Sequence, residues 1–151
     1  MNAAVELLKQ KFPEEVVEVS EFRGDTTITV KTEGLVDICR TLRDDPETSF
    51  KYLSVIAGMD YAPQSPRFGV VYHLYSHKHK NRIALKVFLK DDAAPIVDSV
   101  VSLWNAANWH EREAFDLLGI RFKGHPDLRR ILMPKDWVGY PLRKDYPVRG
   151  M

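Results

Sequence analysis

A succession of five strand-like segments in the first part of the chain limits its possible folds more than any other feature. Val, Ile, Thr and aromatic residues are frequent in these segments, and turn-forming residues separate them, as expected for strands joined by short connections. The fifth segment alternates most regularly, with apolar residues at every second position from Ile83 to Leu89. Five strands followed by helical patterns indicate an α+β fold with a mainly antiparallel sheet. The predicted strands cover residues 16–22, 26–31, 52–59, 68–76 and 82–89.

Two helices are expected among and before these strands. Val5, Leu8 and Phe12 recur at helical spacing ahead of Pro13, which predicts a short opening helix. A second helix is predicted over residues 35–43, where two aspartates and a proline follow as a stop signal. Both helices would pack against the predicted sheet.

Two further helices are predicted after the last strand, because the apolar period changes there from two to three or four. Pro95 suits the first turn of one helix, and the other is predicted to begin at Asn108, with Glu111 three residues later in the manner of a capping box. Gly119 marks the expected end of the second helix. The apolar stripe of the first helix consists of Ile96, Val100, Leu103 and Trp104.

Prolines change the organisation of the chain from residue 121 onward. Four of them within this stretch exclude a long helix or a central strand, so an extended arm is expected. Large apolar residues are spread through the same stretch, which is unlike a disordered tail and predicts that the arm lies on a protein surface. We therefore predict an α+β domain over residues 1–120 and an extended basic arm over 121–151, within one structural domain overall.

Charge is unevenly distributed along the chain. The whole chain has a formal charge of +1, but residues 121–151 hold eight Lys or Arg against three Asp, a net of +5, which leaves 1–120 with −4. A basic arm with interleaved aromatics permits a single-stranded nucleic-acid-binding module as one alternative function. Asp127, Asp136 and Asp145 interrupt that positive charge, and mixed charge around aromatic residues favours a protein partner.

Motifs for independent catalysis are missing from the sequence. Neither glycine-rich phosphate loop nor a G-x-S-x-G nucleophile elbow occurs, and His110-Glu111 lacks the second histidine of a zinc-protease helix because Ala114 occupies that position. Cys39 is the only cysteine, which excludes a cluster bound by four thiolates of this chain, and its apolar neighbours predict a buried thiol. No stretch is apolar enough for a secretory signal or a membrane span, so we expect a cytoplasmic protein.

Three histidines upstream keep a metallohydrolase as a further alternative. His73, His77 and His79 lie at a predicted strand end and in the lysine-rich turn that follows. No fourth ligand from Cys, Asp or Glu is near them in the sequence, so a polar hairpin tip is the favoured interpretation.

The last predicted helix carries a charged face. At helical spacing Arg112 is expected beside Asp116, with Glu113 next to both. This pattern is compatible with a solvated face of weak ion pairs or, because Trp109 shares the face, with a surface that meets a partner.

A long run of residues links this helix to the arm. It reads EREAFDLLGI over 111–120, GHPDLRRIL over 124–132 and PKDWVGYPLRKDYP over 134–147. The run resembles the signature of the C subunit of NADH:quinone oxidoreductase, respiratory complex I, over about the last third of the chain. The resemblance implies structural and interface roles for these signature residues: Glu111, Arg112, Glu113, Asp116, His125, Arg129, Arg130, Trp137, Arg143 and Lys144.

The same resemblance implies a non-catalytic subunit of the hydrophilic peripheral arm of a proton-translocating enzyme. No cofactor, metal or catalytic residue is then expected in this chain, while FMN, iron–sulfur clusters and quinone belong to partner subunits. The expected partners are the D and B subunits of complex I, at the cytoplasmic face of the bacterial inner membrane. The equivalent subunit of a membrane-bound nickel–iron hydrogenase, or of an F420- or ferredoxin-linked dehydrogenase, stays open as an alternative.

Overall fold

A five-stranded sheet organises the chain in the computed structural model, which describes residues 2–147. Its strand order is β1-β2-β5-β4-β3, and every pair of neighbours is antiparallel except β2 and β5, which run parallel. The predicted α+β fold with a mainly antiparallel sheet is therefore confirmed. The elements in chain order are α1 Ala3–Lys11, β1 Val16–Phe22, β2 Asp25–Val30, a 3-10 turn Thr32–Gly34, α2 Leu35–Asp44, β3 Tyr52–Asp60, β4 Phe68–Ser76, β5 Asn81–Phe88, β6 Ile96–Asp98, α3 Ala107–Leu118 and β7 Arg121–Lys123.

The core lies on one side of this sheet. Leu8 of α1 and Leu42 of α2 are buried against inward-facing strand residues such as Ile28, Tyr72 and Leu85. Fully burying a side chain of this size stabilises the fold by roughly 1.5–3 kcal/mol, which explains why the alternating pattern fixes the register. The opposite face of the sheet bears polar and partly exposed side chains.

The β1–β2 hairpin turns at two residues with positive φ. Arg23 has φ of 52° and Gly24 has φ of 85°, the combination that lets a two-residue loop match the twist of the flanking strands. The predicted turn at residues 23–25 is thus confirmed to within one residue.

The predicted helix from Pro95 is wrong. Residues Ile96–Asp98 form β6, which pairs in parallel with β7, and turns follow as far as the start of α3. Ile96 is half exposed while Val97 and Val100 are buried, so the proposed apolar stripe does not share one face. The β-branched residues of this stretch suit a strand, and the pairing strand lies too far along the chain to be seen locally.

Helix α3 differs from the prediction at one end only. Gly119 closes it in the left-handed conformation, φ 78°, as predicted. Its first residue is Ala107, and the residue before it makes no side-chain cap, so the capping box of Asn108 and Glu111 is wrong. Glu111 instead turns into the protein.

Residues 124–147 form what we call the C-terminal segment, a chain of turns without helix or strand that returns to α3. The predicted boundary between residues 120 and 121 stays a prediction, and the end of the arm, 148–151, lies outside the described residues. Across residues 2–147, no helix has the length and apolar character needed to cross a lipid bilayer.

Candidate functional site

Asp116 fastens the C-terminal segment to α3. One carboxylate oxygen accepts a hydrogen bond from Arg130 at 2.7 Å, and the side chain has no exposed surface. The second oxygen accepts from three consecutive main-chain N–H groups, those of Ile131, Leu132 and Met133, at 3.1, 2.6 and 2.8 Å. Burial alone would raise the pKa of Asp116, but these donors together hold the pKa below its usual range. The carboxylate is therefore charged and fully bonded within the chain.

Arg130 extends the same anchor in two further directions. Its guanidinium donates to the main-chain oxygen of Asp116 at 2.7 Å and to that of Gly139 at 2.8 Å. The guanidinium also lies over the Tyr140 ring, 5.1 Å from its centroid. Since a planar guanidinium holds several acceptors at fixed angles, Arg130 fixes the path of the chain on both sides of itself.

Arg112 binds main chain rather than a carboxylate. It donates to the carbonyl oxygens of Arg129 and Arg130 at 3.2 and 3.1 Å and stacks on the Trp109 ring at 5.1 Å. No ion pair joins Arg112 to Asp116 within residues 2–147. The interpretation of this helix face as a set of weak, solvated ion pairs does not hold for Asp116, because Arg130 from the C-terminal segment is its ion-pair partner.

Arg143 secures the end of α3. Its Nε donates to the carbonyl oxygen of Leu118 at 2.7 Å, one of the acceptors that a helix end leaves without an internal partner. The guanidinium lies 4.9 Å from the Phe68 ring centroid and 4.8 Å from that of Tyr140. A cation at this position also interacts favourably with the negative end of the helix dipole.

A second fastening, which the sequence did not indicate, joins the segment to the loop after β3. Arg67 binds both oxygens of Asp60 at 2.8 Å and also reaches Asp145 at 2.9 Å. Asp60 in turn accepts from the main-chain N–H of Lys144 at 2.8 Å. The Arg67 side chain, as the main cause, holds the pKa of Asp60 well below its usual range. Asp60 and Arg67 lie on either side of a proline loop, and this position was the only feature of the sequence that could have suggested their contact.

Glu111 is buried on the opposite side of α3 and holds the connection after β6. Its carboxylate accepts from the Ser99 hydroxyl at 2.5 Å and from the Val100 N–H at 2.8 Å. Burial raises the pKa of Glu111 to about 7, although these two hydrogen bonds favour the charged form. This residue of the signature thus serves the fold.

Two signature residues make no comparable internal contact. Glu113 is exposed, and no hydrogen bond or ion pair involves it in the part of the chain that the structure describes. The Arg129 side chain pairs with Asp127 at 2.9 Å, its one ion pair within residues 2–147, and both side chains are 62% exposed. An exposed pair of this kind contributes little to stability. Glu113 and Arg129 are therefore available to a partner.

The remaining predicted residues lie on the C-terminal segment. His125 accepts from the Asp127 N–H at 2.9 Å, and the Lys144 ammonium donates to the Ala62 carbonyl at 3.2 Å. Trp137 is partly exposed. Other large apolar groups on α3 and this segment are also exposed: Trp109, Leu132, Val138 and Leu142. Exposed apolar groups held on one anchored segment are typical of a protein-binding surface.

The other candidate sites have structural explanations. His77 packs edge-on against the Tyr52 and Tyr75 rings, and a ring nitrogen of His79 lies 2.8 Å from the Pro46 carbonyl oxygen. Among residues 2–147, no group of three or more His, Cys, Asp or Glu side chains could hold a metal ion. Cys39 is buried as predicted, and burial raises its pKa far above the ordinary value.

Fold and site together define a small α+β protein in which charged signature residues hold the main chain of the C-terminal segment in place and large apolar side chains stay exposed. The family model of the respiratory-chain NADH dehydrogenase 30 kDa subunit matches residues 28–151. The chain belongs to this family, as the signature resemblance implied, and is thus part of a respiratory oxidoreductase complex.

Individual relatives agree with this family. The NADH-quinone oxidoreductase C subunit of Roseiflexus sp. (strain RS-1) is 51% identical, with 97% of this chain and 84% of that protein covered. The corresponding C subunit of Geobacter sulfurreducens is 50% identical, with 99% and 91% covered.

Solved structures agree at the level of the fold. The trypsin-resistant fragment (1-134) of Nqo5 matches with a TM-score of 0.70 at 28% identity, covering 83% of this chain and 99% of that chain. A chain in the structure of the membrane-bound sulfane sulfur reductase, an archaeal respiratory membrane complex, matches with a TM-score of 0.72 at 21% identity, covering 95% and 83%. The second likeness concerns the fold alone.

Proposed function

We propose that this chain is a non-catalytic scaffold in the peripheral arm of a proton-translocating NADH:quinone oxidoreductase, where it binds the D and B subunits. The observation that carries this proposal is the anchoring of the C-terminal segment through Asp116 and Arg130. In this anchored arrangement the buried charged side chains bond to main-chain groups of the segment. Apolar side chains such as Trp109, Leu132 and Leu142 are left exposed. A rigid surface of this kind suits binding, because little conformational freedom is lost when a partner docks.

The same proposal places electron transfer in other subunits. FMN, iron–sulfur clusters and quinone would be held by partners, and this chain would position those partners at the cytoplasmic face of the inner membrane. The buried, high-pKa thiol of Cys39 supports this division because such a thiol is a poor ligand and a poor nucleophile. Arg130 and Arg143 also point to main-chain oxygens, which disfavours the nucleic-acid alternative.

Affinity purification of the chain from solubilised native membranes tests the proposal. We expect the B and D subunits in the eluate, together with NADH oxidation linked to quinone reduction. A nickel-containing partner would favour the hydrogenase alternative, and an F420- or ferredoxin-linked partner would favour the corresponding dehydrogenase. Recovery of the chain alone would contradict the proposal.

A further inference from the structure

An open groove lies between strand β3 and helix α3. It has a volume of about 170 Å³, and Val55, Ala57, Leu117 and Leu142 supply apolar walls from the strand, the helix and the C-terminal segment. A cavity of roughly 150 Å³ with aliphatic walls holds a benzene-sized group. The groove therefore has room for one large apolar side chain.

Among the described residues that line the groove, Glu113 is the only ionisable one. Within residues 2–147, no cation of the chain pairs with its carboxylate. The nearest cation along the helix, Arg112, is bonded to the carbonyl oxygens of Arg129 and Arg130. An exposed carboxylate beside an apolar groove is thus open to a cation from outside the chain.

We propose that this groove receives a segment of another subunit in which a large apolar side chain stands beside an Arg or Lys. The apolar side chain would fill the space between Ala57 and Leu117, and the cation would pair with Glu113. Charge complementarity selects this occupant, since an acidic segment would be repelled and would leave Glu113 desolvated without a partner. The groove is continuous with the exposed surface of the proposed function through Leu142, and the inference rests on that function.

Two variants test the groove in the native complex. Ala57→Phe fills the groove from within, and Glu113→Lys reverses its charge. Each is expected to lower the yield of partner subunits at least tenfold in purification from solubilised membranes, with Glu113→Gln giving a smaller loss. Ala84→Phe and Glu21→Lys are matched controls, because Ala84 is also a half-buried strand residue and Glu21 an exposed acid, both outside the groove. Full yields are expected for both controls.

A photo-crosslinking side chain at Leu142 identifies the occupant. A crosslinked partner peptide with a large apolar residue next to Arg or Lys supports the inference, whereas an acidic peptide overturns it. Normal yields with both groove variants, or equal losses with the two controls, would also overturn it. If the unaltered chain recovers no partner subunit, the proposed function itself fails. Thermal denaturation of each purified variant separates lost docking from lost folding. If Ala57→Phe lowers the melting temperature, Glu113→Lys still tests the groove, because Glu113 is exposed.

Discussion

Glu113 and Asp116 lie one turn apart on α3, yet their carboxylates have opposite environments. Asp116 is buried and accepts hydrogen bonds from a guanidinium and three main-chain N–H groups, whereas Glu113 is exposed at the rim of an apolar groove. One charged helix therefore has two roles. Asp116 holds the protein's own chain, and Glu113 faces outward.

Replacing Asp116 should destabilise the protein strongly. Asp116→Ala leaves Arg130 and three main-chain N–H groups without their acceptor, and breaking a buried charge pair in this way costs about 3–5 kcal/mol. Urea denaturation of the purified chain measures the loss. Glu113→Ala is the matched control, with an expected change below about 0.5 kcal/mol. Equal effects of the two substitutions would contradict the assignment of roles.

Outward-facing signature residues should matter for assembly instead. Glu113→Ala and Arg129→Ala are expected to lower the amount of assembled complex while the melting temperature of the isolated chain stays within about 2 °C, since neither side chain makes a stabilising buried contact. Native gel electrophoresis of solubilised membranes measures the assembled fraction. Normal assembly in both variants would refute their role at an interface.

Glu111 should make stability depend on pH near neutrality. Its pKa of about 7 is raised by burial, whereas a glutamate in an unfolded chain titrates near 4.3. The folded chain holds this proton more tightly, so the stabilising contribution is fully present below about pH 4 and is lost as the pH rises through about 7. Glu111→Gln mimics the protonated form, since its amide can bond both Ser99 and the Val100 N–H. We expect it to exceed wild type in stability at pH 8 by up to roughly 3 kcal/mol.

Urea denaturation from pH 5 to 9 measures this effect. Glu113→Gln serves as the control, because Glu113 is exposed, and it should follow the wild-type pH profile. An unchanged slope between pH 5 and 7 in Glu111→Gln would show that Glu111 does not set the pH dependence.

Any side chain at residue 119 should destabilise the protein. The φ of Gly119 is 78°, and an added Cβ would lie 2.7 Å from an Arg143 nitrogen and 2.8 Å from the Tyr140 ring. Gly124 has a similar φ of 89° with nothing within 4 Å, so it isolates the backbone cost of about 1 kcal/mol. We expect Gly119→Ala to lose roughly 1–2 kcal/mol more than Gly124→Ala in urea denaturation. Similar losses would mean that Tyr140 and Arg143 move aside freely.

The Asp60 fastening should protect the C-terminal segment from proteolysis. Asp60→Ala removes the acceptor for Arg67 and for the Lys144 N–H, and charged hydrogen bonds contribute about 1.5–3 kcal/mol each. Local opening of the C-terminal segment would then become at least roughly tenfold more frequent, because a loss of about 1.4 kcal/mol corresponds to a factor of ten in the opening equilibrium. Trypsin cleavage after Arg143 or Lys144 reports this opening. The exposed Asp136→Ala should cleave at the wild-type rate, and equal rates in both variants would contradict the role of Asp60.

Local patterns were sufficient to predict the five strands of the main sheet, because alternation and turn residues act over neighbouring positions. The strands ending at Phe22 and Ser76 and the helix end at Gly119 were predicted within a residue. The stretch from Pro95 was mispredicted as a helix because its conformation depends on pairing with β7 and on Glu111, which binds Val100 from eleven residues away. Contacts between distant segments leave no periodic signal.

The candidate site shows the same limit. Its residues were indicated by the signature, but their partners were not. Helical spacing placed Arg112 beside Asp116, whereas the ion-pair partner of Asp116 is Arg130 from the C-terminal segment. The fastening of Asp60 to Lys144 joins residues eighty-four positions apart, which no local pattern reveals.

The three N–H groups that Asp116 accepts have a consequence for how this sequence can drift through evolution. Hydrogen bonds to main chain impose no requirement on the side chains of Ile131, Leu132 and Met133, so the anchor itself tolerates most substitutions there. Proline is the exception, because it has no N–H to donate. These side chains can therefore vary while the hydrogen bonds to Asp116 keep the segment on the same path.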